Sequence, residues 1–134
     1  MTLVDTNVIS DTLTPGSEWQ NWSVARLNEC RQRGPLATNE IVFAELSARM
    51  SREADVHTVL TRLEITLERI PTAALFAAGQ AYRKYREAGG LRSSVLPDFF
   101  IGAHAQVARV PILTRDIRPY RTYFPDVTII APDT

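Results

Sequence analysis

The chain has 134 residues, 45% hydrophobic and 22% charged, enough for one compact domain that buries its own core. Fifteen Lys and Arg balance fifteen Asp and Glu, so overall charge does not suggest a nucleic-acid partner. One cysteine (Cys30) and two histidines (His57, His104) exclude a disulfide framework and a thiolate zinc site, and no apolar run approaches the ~18 residues of a membrane span.

The N-terminus has no basic segment followed by a long apolar one, and Asp5 would interrupt either, so the expected location is the cytoplasm with no membrane partner. Leu3-Val4 reads as a first strand ending on Asp5. "GSEWQNWSVARLNECRQRG" reads as a helix, with Ser17 as its cap and Gly34-Pro35 as its stop. "PLATN" holds a short second strand. Asn39 caps the next helix, "NEIVFAELSARM", where Val42, Leu46 and Met50 recur at helical spacing. "ADVHTVLTRLEI" continues in helix, and "LERI" before Pro71 is expected as a third strand. "TAALFAAGQAYRKYREAGG" is a helix closed by Gly89-Gly90. A loop then leads into the helix "LPDFFIGAHAQVARV", with Pro97 in its first turn. "PILT" is a fourth strand, "RDIRPYRTYF" a turn with a short helix, and "VTII" a last strand before "APDT". Apolar strands alternating with helices predict an α/β fold: a three-layer α/β/α sandwich with a mostly parallel sheet of four to five short strands, spanning 1–134 as one domain.

Ligands of open α/β sheets sit at the carboxyl ends of strands. Two acids stand at such ends, Asp5 after "TLV" and Asp116 after "PILT". Asp98 opens a helix after a Gly- and Ser-containing loop, and Glu45 is a lone acid in "IVFAEL", a turn expected to be largely buried. Each has a plain structural reading: a residue favouring the positive end of a helix for Asp98, a turn former for Asp5 and Asp116, an arginine partner for Glu45. Taken together they form a candidate metal site on one edge of the sheet. Carboxylates held that close need a cation, and oxygen-only donors favour Mg2+ or Mn2+ over zinc. Such ions lower the pKa of a water and clamp a phosphodiester. Setting the four aside leaves eleven acids against fifteen cations, a mildly positive surface around a negative pocket. Fourteen of those cations are arginine, suited to phosphate contacts, although a GC-rich genome gives the same bias.

The ordered set "LVDTN", Glu45 in an apolar helix, "PDFFIGAHA" and "ILTRD…YRTYFP" resembles the PIN-domain ribonucleases, and more narrowly the VapC toxins of bacterial toxin–antitoxin pairs. The resemblance implies a metal-dependent endoribonuclease that cleaves tRNA or ribosomal RNA, with Asp5, Glu45, Asp98 and Asp116 as catalytic acids and metal ligands. It implies in-line attack by an activated hydroxide, leaving a 3′-hydroxyl and a 5′-phosphate. Asn7 and Thr114 match small polar positions beside the acids. Arg115 is either a phosphate contact or half of a structural ion pair, and Arg118 and Arg121 are further candidate RNA contacts. His104 stands where the family has a small residue, and is expected to pack rather than ligate. A cognate antitoxin protein and a homodimer are implied as partners. The alternative is a catalytically inactive PIN-like module that binds RNA or protein.

Three aromatic stretches stay open. Tyr82, Arg83, Lys84, Tyr85 and Arg86 form either the partly buried face of an amphipathic helix or an RNA platform. Tyr120 and Tyr123 offer RNA contacts near Asp116. Trp19 and Trp22 share a helix face and belong either to the core or to a groove for an antitoxin helix.

Overall fold

Five short apolar runs pair edge to edge: β1 (Thr2–Val4), β2 (Leu36–Thr38), β3 (Ile65–Leu67), β4 (Ile112–Leu113) and β5 (Ile129–Ile130). In the computed structural model, which describes residues 1–132, their order is β3-β2-β1-β4-β5 and every pairing is parallel. The last two residues of the expected 1–134 domain lie outside the described residues. The helices are α1 (Thr6–Thr12), α2 (Gln20–Arg33), α3 (Glu40–Ser47), α4 (Glu53–Arg62), α5 (Thr72–Glu87), α6 (Leu96–Ala108) and α7 (Arg118–Arg121).

The chain steps outward from β1 through β2 to β3, then crosses back to β4 and on to β5. Right-handed crossovers put the helices of the outward run on one face and those of the return run on the other. The expected α/β/α layering follows. Leu3, Val4, Leu36, Ile112 and Leu113 are buried from both sides and pack with Val8, Leu27, Val42, Leu46 and Ile101 from the helices. A second cluster joins α5 and α6, where Ala74, Ala78 and Ala81 meet Phe99 and Ala103. Among the described residues no helix is long and apolar enough to cross a membrane.

Several boundaries depart from the sequence reading. The seven-residue helix α1 was not expected, because "TNVISDT" is rich in β-branched and short polar residues of low helix propensity. Its start is fixed instead by Asp5, whose side chain accepts from the Thr6 N–H. Helix α2 begins at Gln20, and Ser17 does not cap it; its hydroxyl accepts from the Trp19 N–H at 3.2 Å in the preceding turn. Asn39 does cap α3, accepting from the N–H groups of Ile41 and Val42. The expected continuous stretch to Ile65 is broken: α3 ends at Ser47, and α4 gives way at Glu64, where φ is +58°. β3 therefore starts at Ile65 rather than Leu67, and as an edge strand it buries only Ile65.

Candidate functional site

The direction of strand order reverses between β1 and β4, the place where open parallel sheets form a crevice at their carboxyl ends. Asp5 and Asp116 both come from that pair of strands, and the Asp5 N–H donates to the Leu113 carbonyl at 2.9 Å. Asp5 is 7% exposed. Its Oδ1 accepts from the Thr6 N–H at 2.7 Å, and its Oδ2 accepts from the Thr114 hydroxyl at 2.8 Å and the Tyr120 hydroxyl at 2.7 Å. Three donors offset the cost of burying the carboxylate and fix its orientation.

Thr114 and Asn7 tie the two strand ends together. The Thr114 Oγ1 accepts from the Asn7 amide at 3.0 Å and from the Asp116 N–H at 3.2 Å, while the Asn7 Oδ1 accepts from the Arg115 N–H at 3.0 Å. The Asp116 carboxylate is held by Arg118, with Nε donating to Oδ1 at 2.8 Å and the terminal nitrogen to Oδ2 at 2.7 Å. That bond, foremost, keeps the Asp116 carboxyl below its usual range.

Glu45 corrects an expectation. It is exposed, because α3 buries only the stripe of Val42 and Leu46 and position 45 lies on its flank. Its carboxylate reaches α1 and accepts from the Thr6 hydroxyl at 2.6 Å. Asp98, in the first turn of α6, is partly buried. Burial, then the charges of Asp5, Glu45 and Asp116, push its carboxyl up to about 7. Asp5, Glu45 and Asp116 thus all lie near enough to Asp98 to oppose its ionisation. Among the described residues no three Asp, Glu, His or Cys side chains stand close enough to enclose a metal ion.

Other residues lie differently from the sequence reading. Tyr120 is fully buried, so it presents no face to RNA; burial and Asp5 hold its phenol proton well above the usual range, and it remains a donor. Arg115 is in an ion pair with the buried Asp11 at 2.5 Å, and Asp11 also accepts from the Ser23 hydroxyl. The Arg115 guanidinium lies 5.5 Å from the Trp19 ring centre, and Trp19 meets Trp22 edge-on at 6.0 Å. Both tryptophans are half-buried, with Trp22 packed on the core. Arg121 is exposed beside the site. His104 is buried and pairs with the Asn39 amide at 3.1 Å, a packing contact that ties α6 to the start of α3. Asp11 and Tyr120 were missed as supports of the site. An acid three positions after the buried Val8, on the same face of one turn, was the available signal for Asp11.

The PIN domain model matches residues 2–125. The chain belongs to the PIN-domain family. This PIN domain shares its fold with a chain of the VapBC2 complex from Rickettsia felis bound to a promoter DNA fragment, at 15% identity, a TM-score of 0.74 and 98% coverage of both chains. It is similar to a chain of FitAcB from Neisseria gonorrhoeae, at 23% identity and a TM-score of 0.69, covering 97% of this chain and 96% of that one. VapC20 of Mycobacterium tuberculosis, described as a sarcin–ricin-loop-cleaving toxin, matches at 19% identity and a TM-score of 0.55, covering 82% and 85%. A comparison with curated protein sequences finds no match.

Proposed function

We propose that this PIN domain is a divalent-metal-dependent endoribonuclease of the VapC type, the toxin of a toxin–antitoxin pair, with Asp5, Glu45, Asp98 and Asp116 as its acids. The observation that carries the reading is the Asp98 carboxyl held near 7 by burial and by the charges of three other acids at a topological switch point. A carboxyl raised by burial and by three nearby like charges is a group whose ionised form calls for a cation. The donors are all oxygens, which suits Mg2+ or Mn2+. A bound ion would lower the pKa of a water and neutralise charge on the phosphate.

The chain's own residues orient this centre. Thr6, Thr114 and Tyr120 hold Asp5 in one rotamer, and Asn7 positions the backbone that carries Arg115 and Asp116. Arg118 and Arg121 supply the positive rim for an RNA backbone. Arg115 serves indirectly, anchoring the strand end through Asp11. Solved relatives described as VapBC and toxin–antitoxin complexes support an antitoxin partner, and the chain is proposed to act as a homodimer. The RNA target is read as a structured RNA, tRNA or ribosomal, on the same likeness.

RNA incubated with the purified chain and Mg2+ or Mn2+ should be cut, with excess EDTA abolishing cleavage. Asp5→Ala and Asp116→Ala should lower the rate by about a hundredfold or more, the scale expected for removing an electrostatic anchor of the transition state. Full activity in either variant or in EDTA would sink the reading and leave a non-catalytic RNA- or protein-binding module in its place.

A further inference from the structure

Next to the acids, a recess of about 170 Å³ opens where α5 and the segment leading into α6 meet α7, lined by Tyr85, Val95, Phe99, Arg118, Pro119, Thr122 and Tyr123. Three of its walls are aromatic and brace one another. Phe99 and Tyr123 lie 5.3 Å apart between ring centres, Tyr85 and Phe99 5.9 Å edge to face, and Tyr85 and Tyr123 6.2 Å edge to face. The Tyr85 hydroxyl is fixed by the Arg92 N–H at 3.0 Å. Such mutual edge-to-face contacts set ring orientation before any ligand arrives. The recess also abuts the acids through the chain itself. Phe99 follows Asp98 in α6, and Arg118, whose side chain is mostly exposed, is the residue that forks onto Asp116.

We propose that this recess receives one unstacked nucleobase of the RNA, next to the phosphate that the acids address; the inference rests on the ribonuclease reading and names the form of its substrate. The chemistry favours a base over an apolar side chain of a protein partner. Aromatic faces stack on the π-face of any base, and a guanidinium at the rim meets a base edge or the adjoining phosphate. A paired A-form helix offers no free base to such a site.

The test separates the base from the backbone. Affinity is measured in excess EDTA, without cleavage, for a short mixed-sequence single-stranded RNA and for an abasic chain of the same length and charge. The unaltered protein should bind the RNA about tenfold more tightly, the scale of one stacked base. Tyr123→Leu, which keeps bulk and removes the π-face, should erase that difference, while Tyr123→Phe should keep it. Val95→Phe, which fills the recess instead of opening it, should erase it as well and covers the case in which the leucine variant fails to fold. Equal affinity for the two oligonucleotides, or a difference that survives both Tyr123→Leu and Val95→Phe, overturns the proposal. Because binding is read apart from cleavage, the two readings fail separately. A chain that discriminates bases yet never cuts RNA keeps the recess and loses the nuclease; one that cuts without discriminating does the reverse.

Discussion

Asp98 sits where burial and three like charges oppose its ionisation, and its carboxyl rises from 3.8 to about 7 in the metal-free chain. The consequence for stability has a definite sign. Between those two values the folded chain binds a proton that the unfolded chain does not, so stability from this group falls as pH climbs through that window. Above about pH 7 the folded chain carries the full repulsion. Asp98→Asn should therefore stabilise the metal-free chain at pH 8 by about 1 kcal/mol, after allowing for solvent screening of a partly exposed group, and by much less at pH 5. Urea unfolding in EDTA at both pH values measures this, and a pH-independent gain would contradict it. The same side chain shows how far single residues were legible. Acids at strand ends are conspicuous because such positions are few, so Asp5 and Asp116 stood out. The neighbours that hold Asp5 did not. Tyr120 lies 115 residues away in sequence, in a stretch whose arginines suggested an exposed surface. Glu45 was read as buried from the apolar residues around it, but in an eight-residue helix only one narrow stripe faces inward.

The α5–α6 contact carries the second cluster and aims both Asp98 and the aromatic recess. Its closeness depends on small residues, Ala74, Ala78 and Ala81 on α5 and Ala103 on α6, while Gly102 of α6 receives the ring of Phe124 instead. A Cβ at Gly102 would stand 2.5 Å from the Phe124 ring, too near for a real contact. Gly102→Ala should cost about 1–3 kcal/mol through overpacking, despite the better helix propensity of alanine. Gly79, inside α5 with open space around it, is the control, and Gly79→Ala should gain about 0.5–1 kcal/mol. Thermal unfolding of the two variants should thus shift in opposite directions; a shared sign would refute the steric account. The two long helices were plain in the sequence because they combine propensity with stops at Gly89 and beyond Ala108. Short elements were not. Helix α1 has seven residues and β3 three, so tertiary contacts decide them: the Asp5 cap for one, pairing with β2 for the other.

At the scale of the whole molecule, sequence pattern announces alternating strands and helices but leaves their order open. The order β3-β2-β1-β4-β5 brings residues 5 and 116 to one crevice, and that adjacency is a property of the topology alone. The crevice has two competing cations to consider. Arg118 already neutralises Asp116 with a two-pronged contact, whereas Asp98 has no such partner among the described residues and its carboxyl stays near 7. On the metal-dependent reading proposed above, a divalent ion would have to take Asp116 from Arg118, and part of its binding free energy would be spent on breaking that fork. Ligands that bind only the folded chain raise its stability by mass action, about 2.7 kcal/mol at a concentration a hundred times the dissociation constant. Mn2+ at millimolar concentration should raise the thermal midpoint of the unaltered chain, and EDTA should reverse the rise. Arg118→Gln frees Asp116 and should give the larger rise at equal metal, while Asp5→Asn should show almost none. A midpoint indifferent to Mn2+ in the unaltered chain would remove the metal from the proposed mechanism. An equal rise with and without Arg118 would instead leave the metal in place and show that it does not draw on Asp116.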